Sequence, residues 1–294
     1  MTNALNMTAS MLKLRIGSFV ALAALVGILT ASGAMGWVET CVFTLAVLGA
    51  SGAAGAYNQY FERDTDRLMA RTRNRPFARG TLKPGFIWPL TFGALLAGAL
   101  FMGWSVGGTL ATVLVFSGAA TYAFVYTILL KRRSIWNVVI GGASGSFALL
   151  AGAAAAAPDF GPVLEPVPVL LATALFFWTP PHFWALAAAK GEDYRKAGIP
   201  MLPVVSEHEV WGRVIFLHVV VLVIFSLWPL FYGLGPFYGV CAAVGGARLL
   251  QTSWTLMRHD TRKAAMATFR ASLLQFALLG LGVVLDRVAA AWIY

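Results

Sequence analysis

The chain contains 294 residues, of which 59% are hydrophobic and only 12% are charged, and its mean hydropathy is +0.74. These values exclude an ordinary soluble domain and are typical of a protein that lies in a membrane. The net charge of +10 does not indicate nucleic-acid binding, because the basic residues are spread over helix ends that face anionic lipid headgroups.

Long apolar segments recur along nearly the whole chain, and each is long enough to cross about 30 Å of hydrocarbon as a helix. The predicted membrane-spanning helices are nine in number, at residues 16–36, 38–60, 86–106, 108–130, 136–157, 164–189, 213–233, 235–256 and 269–292. No low-complexity tail or Pro/Ser-rich linker divides the chain. We therefore predict an all-α, polytopic membrane protein with a single membrane-embedded domain over residues 1–294.

The distribution of basic residues predicts the orientation of these helices, because cytoplasmic loops collect Lys and Arg. Basic residues precede the first span and follow the second, fourth, sixth and eighth, so that all except Arg287 lie on one side. The N-terminus is therefore predicted to be cytoplasmic. A bacterial inner membrane is favoured over a mitochondrial one, because residues 1–15 are too short and weakly basic for a transit peptide. A cleaved signal peptide ending near "ASGA" is the alternative, and it would leave eight spans.

The stretch "NQYFERDTD" concentrates acidic residues where the second span leaves the membrane. Asn58, Glu62 and Asp66 stand at positions i, i+4 and i+8, which lie along one face of a helix. Mg²⁺ is commonly bound by one or two carboxylates and completes its shell with substrate phosphates. Arginine matches phosphate oxygens, and four arginines follow at once: Arg71, Arg73, Arg75 and Arg79. The pattern indicates a metal and diphosphate site, but a juxtamembrane loop in which acids neutralise arginines fits the spacing equally well.

A second polar group, "YTILLKRRSIWNVVIGG", joins the fourth and fifth spans. It contains Tyr126, Lys131, Arg132 and Asn137. Positive-inside anchoring explains the Lys-Arg-Arg run by itself. Anchoring does not explain Asn137, because a buried amide must be paired or hydrated.

The third polar group is "PPHFWALAAAKGEDYRKAGIPMLPV", which begins in the sixth span and continues into the loop that follows it. Pro180 and Pro181 interrupt helical hydrogen bonding, and His182 follows them directly. A histidine within a span suggests a haem ligand, a base or a proton relay, and the alternative is a hydrogen bond between helices. Asp193 lies in the loop that follows, where a solvated helix end is the simpler interpretation.

These motifs resemble those of a known family. "NQYFERDTD" is similar to the Asn-x-x-x-acid-x-x-x-Asp signature of the UbiA superfamily of intramembrane prenyltransferases. Within it, "RTRNRP", "YTILLKRR" with "NVVIGG", and "PHFWALA" with "DYRKAGIPMLPV" resemble the protohaem IX farnesyltransferases, or haem O synthases. The resemblance covers residues 58–204 and implies a bundle of nine helices around a cavity, capped by cytoplasmic loops. It implies transfer of the farnesyl group of farnesyl diphosphate to a vinyl group of haem B, with addition of water, to give haem O.

The resemblance also implies roles for individual residues. Asn58, Glu62 and Asp66 would hold Mg²⁺ against the diphosphate, while Arg71 and Arg75 would bind diphosphate or a haem propionate. The remaining residues expected at the substrates are Tyr126, Lys131, Arg132, Asn137, His182 and Asp193, with His182 meeting the haem. The expected partners are farnesyl diphosphate, haem B, the lipid bilayer and a downstream haem A synthase.

Three departures from the family pattern qualify these expectations. Glu62 stands where many superfamily members have Asp, and the second aspartate-rich motif of the wider superfamily is reduced to Glu192 and Asp193. The segment "GGASGSFALLAGAAA" lacks the paired prolines of the family's fifth helix. The alternatives are a UbiA-type enzyme with a quinone or chlorin acceptor and, in a different class, a membrane transporter.

Overall fold

The computed structural model describes residues 2–156 and 162–293, and all regular elements within these ranges are helical. The prediction of an all-α protein is therefore confirmed. The helices are α1 (Thr2–Met11), α2 (Leu14–Thr30), α3 (Trp37–Phe61), α4 (Arg63–Asp66), α5 (Pro76–Arg79), α6 (Ile87–Ala120) with a π-helix (Thr121–Leu130), α7 (Asn137–Ala156), α8 (Pro166–Ala189), α9 (Gly191–Lys196), α10 (Leu202–Val205), α11 (His208–Leu227), α12 (Pro236–Arg258) and α13 (Arg262–Ile293). Short 3₁₀ turns at Pro162–Leu164 and Trp228–Tyr232 complete the described elements.

Several of these helices are suited to a membrane. Among the described residues, six are long and apolar enough to cross it, or seven if α1 and α2, bent by 57° at their junction, form one span. The chain is thus a multi-pass membrane protein, while the count of nine spans stays a prediction. Residue 157, the last of the predicted fifth span, lies outside the described residues.

The difference between seven and nine spans has two sources. The predicted span 235–256 exists as α12, but Arg248 and Gln251 lower its hydropathy. The predicted spans 86–106 and 108–130 are one continuous helical segment, Ile87–Leu130. A straight helix of that length would extend roughly 66 Å, about twice the hydrocarbon thickness.

Gly108 divides this long segment in the middle. Its dihedral angles, φ 75° and ψ −176°, are not helical and suit only glycine. Leu96 packs in one apolar cluster with Ala119 and Ala123, although a straight helix would separate Leu96 from Ala119 by roughly 35 Å. We infer that the chain folds back at Gly108, so that the two predicted spans lie side by side.

The bundle is held together by close contacts between small residues. A Cβ atom at Gly27 of α2 would lie 1.9 Å from the carbonyl oxygen of Leu149 in α7. A Cβ atom at Gly152 of α7 would lie 1.9 Å from the carbonyl oxygen of Ala24 in α2. Such backbone contact is typical of membrane helices, which lack a strong hydrophobic force between them and associate by packing. It fixes α2 against the centre of the bundle, and the beginning of α2 is where the polar site forms.

Candidate active site

The three predicted metal ligands lie together at the end of α3. Asn58, Glu62 and Asp66 are each exposed by 1% or less, and Asn58 Nδ2 donates to Glu62 Oε2 over 3.0 Å. The spacing suggested one continuous helix, but α3 ends at Phe61 and Glu62 has φ −91° and ψ 7°. Asp66 is placed instead by the short α4, whose last residue it is. Buried acidic groups at a membrane surface require partners, and here each has one.

Each of the three predicted ligands contacts a different cation. Asp66 accepts two hydrogen bonds from Arg75 Nη1, at 2.9 Å to Oδ1 and 2.8 Å to Oδ2. The Lys131 ammonium pairs with Glu62 Oε2, and the Lys13 ammonium contacts Asn58 Oδ1. The polar site therefore contains two carboxylates and three cations, drawn from four separate parts of the chain.

Glu62 keeps its negative charge despite this burial. Removal from water would raise the pKa of Glu62, but the charge and hydrogen bond of Lys131, together with the nearby Lys13 and Arg75, outweigh it and hold the pKa of Glu62 below its ordinary value. A carboxylate that stays ionised in a buried position can serve as a metal ligand.

The donor set fits Mg²⁺. Glu62 Oε1 is buried and has no hydrogen-bond partner among the described residues, so one carboxylate oxygen is free to accept a ligand. Nowhere in residues 2–156 and 162–293 do three His, Cys, Asp or Glu side chains converge in a way that could hold a metal. Two carboxylates and an amide are a partial shell, which suits an ion that takes its remaining ligands from substrate phosphates and water.

Two tyrosines of the π-helix line the same site. The rings of Tyr122 and Tyr126 stack with centroids 5.6 Å apart. The Lys13 ammonium lies 5.5 Å from the centre of the first ring, and the Lys131 ammonium 5.6 Å from the centre of the second. Asn58 also donates to Thr127 Oγ1 over 2.9 Å. π-Helical turns occur frequently at functional sites, and this one presents aromatic faces to two cations.

Loop segments beyond α3 and α8 close over the acidic residues. Arg71 lies above the ring of Tyr194, at 5.0 Å, and donates to its hydroxyl over 3.1 Å. Asp193 Oδ1 accepts a hydrogen bond from the backbone amide of Ala70 over 3.2 Å. Arg132 contacts Thr65 Oγ1. The structure thus brings the three sequence motifs together, with Asp193 as a link between loops.

Two further predicted residues lie apart from this cluster. Asn137 is fully buried and donates to the carbonyl oxygen of Ser134 over 2.6 Å. His182 stacks on Trp178 with centroids 4.3 Å apart, and its Nδ1 is 2.8 Å from Ser272 Oγ. Neither residue has a hydrogen bond to the metal ligands among the described residues. His182 belongs to a second, aromatic region with Trp178, Phe183 and Phe269.

A cavity of about 520 Å³ lies at the other end of the bundle. It is lined by the last turn of α2, Glu165, Tyr232 and Arg287. Because α2 runs about 25 Å from Lys13 to this end, the cavity is separate from the polar site.

The family assignment follows from a comparison of the sequence with family models. Residues 20–279 match the model of the UbiA prenyltransferase family. The chain belongs to the UbiA prenyltransferase family. This membership confirms the predicted superfamily and the prediction that the protein is an enzyme, a prenyltransferase.

Curated and solved UbiA relatives agree over nearly the full length. Protoheme IX farnesyltransferase 2 of Paramagnetospirillum magneticum is 48% identical, over 99% of this chain and all of that protein. The apo structure of a UbiA homologue from Aeropyrum pernix K1 has a TM-score of 0.73 at 22% identity, covering 93% of this chain and 98% of its own. A UbiA homologue from Archaeoglobus fulgidus, solved with GPP and Mg²⁺, has a TM-score of 0.61 at 15% identity, covering 95% and 99%. The predicted family and UbiA-type fold are thereby confirmed.

Sequence reasoning missed several residues of this UbiA site. Tyr122 lies one helical turn before Tyr126, and that spacing was a usable signal. Tyr194 stands inside the quoted "DYRKAG" stretch. Lys13 offered no local signal, because only the docking of α1 and α2 on α3 brings it to Asn58.

Proposed function

We propose that the protein transfers the farnesyl group of farnesyl diphosphate to a vinyl group of haem B, with addition of water, to give haem O and diphosphate. The observation that carries this proposal is the buried set of Asn58, Glu62 and Asp66, each in contact with its own cation. The relative from Paramagnetospirillum magneticum, named as a protoheme IX farnesyltransferase, supports the choice of acceptor.

In this proposal Asn58, Glu62 and Asp66 hold Mg²⁺ through their side-chain oxygens. When bound, Mg²⁺ supplies positive charge that stabilises the departing diphosphate. Arg75 and Lys131 lie on the same carboxylates and are placed to bind diphosphate oxygens. Arg71 and Arg132, which are exposed beside the site, bind the outer diphosphate oxygens or a haem propionate.

The proposed reaction has two parts, which are cleavage of the C1–O bond of farnesyl diphosphate and capture of the farnesyl group by haem B. The C1–O bond of farnesyl diphosphate breaks with both electrons going to oxygen, and fixed cations stabilise the charge that develops there. The stacked rings of Tyr122 and Tyr126 present π faces that favour a neighbouring carbocation. The vinyl group of haem B then forms the new C–C bond. Water adds to the resulting cation and loses a proton, which leaves the hydroxyl group of haem O.

The haem is proposed to lie in the aromatic region around His182. His182 Nδ1 is fixed by Ser272, so the ring is oriented. Asn137, Tyr126 and Asp193 are proposed to line the route between this region and the diphosphate site. A downstream haem A synthase is the proposed consumer of the product.

We further propose that the protein is a single domain over residues 1–294, with nine spans in a bacterial inner membrane. Its N-terminus and its catalytic mouth face the cytoplasm. The asymmetric distribution of basic residues supports this orientation.

Detergent-purified protein supplied with haem B, farnesyl diphosphate and Mg²⁺ tests the proposal by mass spectrometry. Haem O is expected, and Asp66→Asn should lower its rate of formation by at least about 100-fold. Asp64→Asn is the matched control, since Asp64 lies in the same short helix but is solvent-exposed and pairs only with surface arginines.

Other outcomes identify the alternatives. Recovery of haem B unchanged, while a benzoate or quinone acceptor becomes prenylated, would replace haem O synthesis by another UbiA reaction. Movement of farnesyl diphosphate across a proteoliposome membrane without prenyl transfer to either acceptor would indicate a transporter.

A further inference from the structure

Lys13 is a buried-site cation that no sequence motif singled out. It lies between α1 and α2 and adopts φ 49° and ψ 42°. Within the described ranges it is the single non-glycine residue with a positive φ. Left-handed backbone is costly for a residue with a side chain, and such strain persists where the surrounding structure imposes it, often at functional sites.

The surrounding structure does impose it. Gln59 Nε2 of α3 donates to the carbonyl oxygens of Ser10, at 2.6 Å, and Met11, at 3.3 Å. Leu12 packs on Gly55, where an added Cβ would lie 3.4 Å from the Leu12 carbonyl oxygen. The junction of α1 and α2 is therefore clamped onto α3 next to Asn58. A side chain at position 13 has to point into the metal-ligand cluster.

The Lys13 ammonium completes a pattern within that cluster. It contacts Asn58 Oδ1 and donates to the hydroxyl of Tyr122 over 3.0 Å. Lys131 and Arg75 contact the other two predicted ligands in the same way. Each predicted ligand side chain thus contacts a cation. Lys13 alone of the three cations pairs with a neutral amide, which leaves its charge uncompensated by direct contact.

We propose that Lys13 binds the diphosphate of the substrate and exchanges its partner, leaving Asn58 for a diphosphate oxygen when Mg²⁺ occupies the ligand cluster. This inference rests on the proposed metal and diphosphate site. When Mg²⁺ binds alone, it displaces the cationic side chains from their partners and leaves them in a buried site without counterions, which is unfavourable. Diphosphate supplies those counterions, so the two ligands bind cooperatively, and the coupling is reciprocal.

Calorimetry on the full-length protein in detergent, with Mg²⁺ and inorganic pyrophosphate as probes, tests the proposal. Lys13→Met is expected to weaken pyrophosphate binding in Mg²⁺ by about 10- to 100-fold, the loss of one charge-assisted hydrogen bond. The same variant should bind Mg²⁺ alone at least as tightly as the wild type, because Asn58 Oδ1 is released. Lys13→Arg should recover much of the pyrophosphate affinity. Arg15→Ala removes the same charge at an exposed position two residues away and should change neither affinity.

The outcomes separate the inference from the proposed function. Unchanged pyrophosphate affinity in Lys13→Met, or an equal loss of pyrophosphate and Mg²⁺ affinity, overturns the role of Lys13. A wild-type protein that binds no pyrophosphate in Mg²⁺, or an Asp66→Asn variant that binds it normally, overturns the proposed site itself. If Lys13→Met does not fold, Lys13→Arg and Lys13→Gln serve as the test instead. Equal affinities of these two variants for pyrophosphate overturn the inference.

Discussion

The buried pair of Glu62 and Lys131 allows stability and catalysis to be separated by a mutant cycle. The Glu62 side chain is 1% exposed and that of Lys131 is 8% exposed. Glu62→Gln and Lys131→Met each leave the other charge in a buried position without its partner. The double variant removes both charges together. We expect the double variant to be more stable than either single variant, and yet inactive.

The magnitude follows from the burial of the pair. Breaking a buried ion pair by removing one partner costs about 3–5 kcal/mol, whereas replacing both partners is often close to neutral. One kcal/mol corresponds to about 2–4 °C in the melting temperature of a large domain. Each single variant should therefore melt roughly 6–20 °C lower than the wild type. The double variant should recover most of this difference, with a coupling energy of about 2 kcal/mol or more.

Tryptophan fluorescence during heating measures stability, and haem O formation measures activity in the same samples. Single-variant losses that simply add in the double variant would show that the two charges do not interact. Substantial haem O formation by the double variant would refute the assignment of Glu62 to Mg²⁺ and of Lys131 to diphosphate. The matched control is Glu192→Gln with Arg195→Met, an exposed ion pair whose cycle should give a coupling energy of at most about 1 kcal/mol.

Three further predictions concern the helix contacts, the haem and the metal. Gly152→Val should lower the melting temperature strongly, because its side chain would overlap the Ala24 carbonyl oxygen. The control Gly98→Ala has open space around its Cβ position and should leave the melting temperature unchanged or raised. Equal effects of the two variants on thermal unfolding would contradict the close packing of α2 and α7. His182→Ala should alter the absorption spectrum of bound haem, and Ser272→Ala should alter it less, since Ser272 only orients the ring; an unaltered spectrum in His182→Ala would remove the residue from the haem. Chelation by EDTA should abolish haem O formation, and added Mg²⁺ should restore it, as followed by mass spectrometry; full activity in EDTA would exclude a metal-dependent reaction.

The sequence predicted the composition of the site better than its geometry. The acidic spacing singled out Asn58, Glu62 and Asp66, and all three are buried. It did not predict the backbone that carries them, because α3 ends at Phe61 and the short α4 places Asp66. The boundary predicted between spans 86–106 and 108–130 fell at residue 107, and the helical geometry breaks at the next residue, Gly108. Local patterns carried both predictions.

Residues brought in by tertiary packing could not be predicted in this way. Lys13 reaches Asn58 only because Gln59 and two glycines of α3 hold the junction of α1 and α2, and nothing in the sequence near Lys13 records this. His182 and Asp66 look equally functional in the sequence, but one lies in an aromatic region and the other in the charged cluster. The distance between two polar groups on different helices depends on how the bundle packs, which hydropathy does not specify.

The balance of charge in the cluster gives a physical reason for cooperative binding. With every group ionised, three cations and two carboxylates leave one excess positive charge in a site largely removed from water. Mg²⁺ alone raises this excess to three. Farnesyl diphosphate carries about three negative charges on its ionisable oxygens. Bound alone, it would make the net charge of the cluster negative. Both together bring the cluster to neutrality, which a buried site favours. Without Lys13 the loaded site would carry one net negative charge before the C1–O bond breaks. That charge would oppose the further negative charge that develops on the diphosphate as it departs.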